Sequence, residues 1–118
     1  MTDKYTINKS TIKQSIEIYP NEPLWKRVPT HDKNGKKLSD FMMIIPGLNK
    51  SDQLDFMLTI KSLNKLFTQY DKYVVFIDLN VKLNLLWVSV KSHPGICLEL
   101  PTMIKNIIPK ALLVASKN

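Results

Sequence analysis

Few residues in this chain could do chemistry, and their spacing limits what that chemistry would be. His93 and Cys97 are four apart, across the turn Pro94-Gly95 and into an expected helix. A thiol at a helix start can have a lowered pKa and act as a nucleophile, with the imidazole as its base. No third, orienting group can be named. Cys97 also lies between Ile96 and Leu98, where a buried cysteine acting as a small hydrophobe is the commoner case. One Cys and two His are too few for a protein-only structural zinc site, so no metal or cofactor is expected. Asp40 and Asp78 flank apolar runs, and general acid–base work would need them close in space. His31 reads as a solvated loop residue. Pro46-Gly47-Leu48-Asn49 could offer amides to an anion ahead of the next helix.

The aromatic pair Phe76 and Trp87 suggests different chemistry. Both lie in the most strongly patterned stretch, Tyr73 to Lys91, which reads as two strands around the polar break Asn80–Asn84. Strand alternation sends Leu86, Val88 and Val90 to one face and Leu85, Trp87, Ser89 and Lys91 to the other. On the preceding strand it sends Val75, Ile77 and Leu79 inward, and Phe76, Asp78 and Asn80 outward with Val74. The outer surface then carries Phe76, Asp78, Trp87, Ser89 and Lys91. Three uses fit such a surface. An N-terminal strand with Trp25, or a second subunit, covers it. It serves as a small-ligand or protein platform. Or its aromatics stack bases while lysines hold phosphates.

Around these residues the chain reads as a single domain, residues 1–118, large enough to bury a core without staples. Its net charge of +7 comes from 16 Lys and a single Arg, Arg27. That charge is spread along the chain rather than gathered in a tail. Nucleic-acid recognition favours the bidentate guanidinium, so the charge alone does not select a nucleic-acid partner. No apolar run approaches the roughly 18 residues of a membrane helix, and the first residues lack a signal-peptide core. The expected setting is cytoplasmic.

Residues 10–40 read as an N-terminal strand and arm. Thr11 to Tyr19 alternates with period two, and Pro20–Pro23 ends it. Asn34-Gly35 marks a tight turn that folds 24–31 back on the residues after 36, or else a flexible basic loop. Phe41–Ile45 is a strand buried on both faces. A helix capped by Ser51 or Asp52 runs over 52–70, with the stripe Phe56, Ile60, Leu63, Phe67 and Tyr70. Leu54 and Leu58 fall opposite that stripe. Paired leucines usually pack, so the arm with Trp25 is expected to lie on them; the other reading is a partner surface. A second helix spans 96–108, regular from about residue 100 because Pro101 suits only a first turn, with Met103, Ile104, Ile107 and Ile108 as its apolar face. Ala111–Ala115 is a last strand.

From residue 41 to 115 the order is therefore strand, helix, strand, strand, helix, strand. This resembles the ferredoxin-like fold: an α+β, βαββαβ antiparallel sheet with two helices on one face, here with an added N-terminal strand or arm. The implied strand order is 4-1-3-2. The fold is shared by ACT regulatory domains, RNA-recognition motifs, acylphosphatases and many dimeric α+β barrels. The aromatic- and glycine-bearing RNA-binding pattern is missing at 84–91, as is an acylphosphatase-type glycine-rich loop with its arginine. The function expected from sequence is non-enzymatic: self-association, as a homodimer, or small-ligand or protein binding through the open sheet face. The alternatives are a basic RNA- or DNA-binding module and a cysteine-dependent enzyme built on His93 and Cys97. A membrane partner is not expected.

Overall fold

The computed structural model describes residues 13–17 and 29–117. The elements are β1 (Lys13–Glu17), β2 (Leu38–Ile44), α1 (Gln53–Gln69), β3 (Val74–Asn80), β4 (Leu85–Lys91), α2 (Ile96–Ile107) and β5 (Leu112–Lys117). They form one sheet of order β1-β3-β4-β2-β5. From β2 to β5 this is the ferredoxin-like βαββαβ arrangement with the 4-1-3-2 order, antiparallel throughout, and both helices on one face. The central places go to β2 and β4. β1 pairs in parallel with the edge of β3, Lys13 opposite Phe76 and Glu17 opposite Asn80, so the sheet gains a fifth strand. Trp25 and the arm around it lie outside the described residues.

The core follows from the sequence pattern. Phe41, Met43 and Ile45 from β2 and its end, Ile77 and Leu79 from β3, and Leu86, Val88 and Val90 from β4 meet Phe56, Ile60, Leu63, Leu66 and Phe67 of α1. Asp52 caps α1, its carboxylate accepting from the Asp55 amide at 2.8 Å. That acidic cap occupies the positive end of the helix, where an anion would otherwise sit. The Pro46–Asn49 segment is a turn leading into a short 3-10 helix, Leu48–Lys50, with Leu48 buried. Tyr70 Oη donates to Glu99 at 2.7 Å and ties α1 to α2.

Three details differ from the sequence reading. First, β2 starts at Leu38, not Phe41. A turn over Asp32–Gly35 delivers the chain straight into the ladder, with Gly35 left-handed and Asp32 Oδ1 accepting from the Asn34 and Lys36 amides. Second, a bulge interrupts β3. Val74 pairs with Val90 and the next pair is Phe76 with Ser89, which skips Val75. The extra residue breaks the alternation, so Val74 is buried in the core and Val75 is half-buried outside it. Third, α2 is regular from Ile96, behind a left-handed Gly95, and carries Pro101 at its sixth position. Its buried face is Ile96, Cys97, Leu100, Pro101 and Ile104, whereas Ile107 is exposed. Leu54 and Leu58 are 67 % and 52 % exposed, and the arm with Trp25 expected on them lies outside the described residues.

Candidate functional site

The two sides of the helix-free sheet face differ in exposure. Phe76 faces Ser89 and Asp78 faces Trp87 across β3 and β4, so four of the five expected surface residues form two adjoining cross-strand pairs. Yet Phe76, Asp78 and Ser89 are only 5 %, 2 % and 1 % exposed. Towards β2 and β5 the face remains more accessible. Leu85, Trp87, Met42 and Ile44 are half-buried, and Leu112 beyond Ile44 is exposed. Trp87 Nε1 donates to Ser89 Oγ at 3.0 Å. The indole's one donor is therefore satisfied within its own strand, and what the ring can offer a partner is apolar surface.

Lys91 stands apart from this group. It pairs with Leu38 at the end of β4 and is exposed. It borders a cleft of about 460 Å³ lined by Pro29, His31, Lys33, Asp71 and the bulge residues Val74 and Val75. His31 is held in the turn, its Nδ1 2.9 Å from Thr30 Oγ1.

The thiol and imidazole occupy different surroundings. Cys97 is buried in the core, with Sγ 3.8 Å from the Asp40 carbonyl oxygen. Burial, and then the charge of Asp40, push its pKa up. A nucleophilic cysteine needs the opposite shift. His93 is exposed and rests against the Tyr73 ring, with centroids 4.8 Å apart. Asp40 and Asp78 share the helix-free face, but β4 runs between them and their registers differ by two residues. Strand geometry separates their Cα atoms by roughly 12 Å, too far to share a proton. Among the described residues no group of three or more His, Cys, Asp or Glu could hold a metal, and no helix is long and apolar enough to cross a membrane.

Sequence reasoning did not single out Met42, Ile44 and the run Leu112–Val114. The signal was available. An order of 4-1-3-2 leaves the last strand at an edge, and an unbroken Leu-Leu-Val run there cannot bury every side chain. No protein-family model matches the chain, and comparison with curated proteins and with solved structures gives no match either. The ferredoxin-like topology by itself carries no function.

Proposed function

We propose that this domain works by self-association rather than catalysis, through the β4–β2–β5 half of its helix-free sheet face. The observation that carries this reading is the run of accessible apolar side chains Trp87, Met42, Ile44 and Leu112 across three neighbouring strands. Contiguous apolar surface of this kind usually marks a contact site. The expected site thus shifts within its own face, away from Phe76 and Asp78 and towards β5. The elevated thiol pKa of Cys97 also favours a non-catalytic role. The base-stacking alternative is weakened because Phe76, one of its two aromatics, is 5 % exposed. The test is sedimentation of Ile44→Lys beside the unmodified chain. Loss of association with an unchanged circular dichroism spectrum supports the reading. Unaltered association sinks it.

A further inference from the structure

We propose that residues 18–28 of this chain cross the helix-free sheet face over β3 and β4 and cover its Phe76–Asp78 half, leaving the half towards β5 open. Strand direction, the two ends of the segment and the burial of that face lead there independently. β1 runs parallel to β3, and β3 and β2 are each antiparallel to β4, so β1 and β2 point the same way with β3 and β4 between them. The chain from β1 to β2 is therefore a parallel crossover. α1 belongs to a second one, from β2 back to β3. The two travel in opposite directions across the sheet, between strands of one direction. Such connections are right-handed in about 98 % of cases, and two of the same hand that travel oppositely lie on opposite faces. α1 holds the helix face, so the connection from β1 to β2 falls on the other.

The ends agree with this path. β1 leaves the sheet at Glu17, opposite Asn80 at the far end of β3. The described chain resumes at Pro29, which borders one cleft with Val74 and Val75 at the near end of β3. The segment must therefore run the length of β3, roughly 20 Å at the rise of a strand. Extended, residues 18–28 reach up to about 40 Å, enough to cross obliquely with side chains turned to the sheet. Pro20 and Pro23 each lack a backbone donor, which suits a segment that lies across strands rather than joining their ladder. Ile18, Tyr19, Leu24, Trp25 and Val28 supply apolar surface to bury.

Burial marks where the crossing lies. Phe76 is 5 % exposed yet stands outside the core cluster, on the face away from the helices. Asp78 and Ser89 beside it are 2 % and 1 % exposed. A sheet face is shielded this far only by a layer packed on it. These residues are buried within a single copy, so the layer belongs to the same chain and not to a second one. Trp87, between Asp78 on β3 and Met42 on β2, is half-buried, as is Met42. The cover therefore stops near β4.

The test uses Ser89→Cys as a reporter beneath the crossing and the buried Cys97 as an internal measure of folding. Iodoacetamide should label position 89 slowly in the otherwise unmodified chain. Replacing residues 18–28 by a glycine–serine segment of equal length should speed labelling at 89 by about tenfold or more, with Cys97 still protected. Equal rates at 89 in the two chains overturn the proposal. Nuclear Overhauser contacts in the unmodified chain give a second reading that needs no variant to fold. Contacts from Leu24 or Trp25 to Phe76 or Ser89 support the crossing. Contacts from them to Leu54 and Leu58 on α1 instead, or none to the sheet, overturn it.

Discussion

The indole nitrogen of Trp87 donates to Ser89 Oγ at 3.0 Å, two residues further along the same strand. This bond satisfies the ring's donor and leaves its apolar surface as the feature a partner meets. Ser89→Ala removes the acceptor while keeping the strand. The expected cost is about 1 kcal/mol of stability, read by urea unfolding. The emission of Trp87 should shift as its donor turns to water, recorded in a Trp25→Phe background. An unchanged spectrum and midpoint would show that the bond does not hold the ring.

The two faces of α1 should respond differently to substitution. Leu63 is fully buried and Leu58 is 52 % exposed. Leu63→Ala should cost about 3 kcal/mol, because a core cavity adds to the lost transfer energy. Leu58→Lys should stay within about 0.5 kcal/mol, as surface substitutions do. Chemical unfolding of both variants checks this. A large loss at Leu58 would contradict its place on the exposed face of α1.

Cys97 should behave as a core residue. Native protein at neutral pH should react with iodoacetamide only as it unfolds, and quickly once urea is added. Its thiol pKa is raised above the ordinary 9.0 by burial and by Asp40. The stability it lends is therefore complete below pH 9.0 and declines as pH rises through the raised value. Cys97→Ala should flatten that alkaline decline. Fast alkylation of the folded chain would instead revive a reactive thiol beside His93.

Salt separates the two association chemistries by sign. Each copy carries +7, so two copies repel one another and screening should tighten their apolar contact. Binding to RNA or DNA would weaken steeply with salt, through release of counterions. Sedimentation at low and high sodium chloride, and a parallel titration with a fluorescent oligonucleotide, should give a tighter dimer at high salt and negligible binding of the oligonucleotide.

Much of this fold was legible because the patterned stretches agree with one another. The four-three stripe from Phe56 to Phe67 matches the buried face of α1. The all-apolar set Leu86, Val88 and Val90 matches the buried side of β4. Alternation misplaced Val74 and Val75 because a bulge is a change of register, and two adjacent valines look the same on either side of it. Pro101 suggested a late helix start because its missing donor was weighed without the packing of Ile96 and Cys97, which holds the first turn in the core. The site was only partly legible. Parity put Phe76 and Trp87 on one face, but parity carries no information about exposure along that face. The gradient from a closed β3 side to an open β5 side emerges only from the assembled sheet.

Self-association through the sheet face is tested most directly by sedimentation equilibrium of the unmodified chain over a wide concentration range. The average mass should rise from the monomer value of 13.6 kDa towards twice that value as concentration increases. A mass that stays at 13.6 kDa throughout would contradict it.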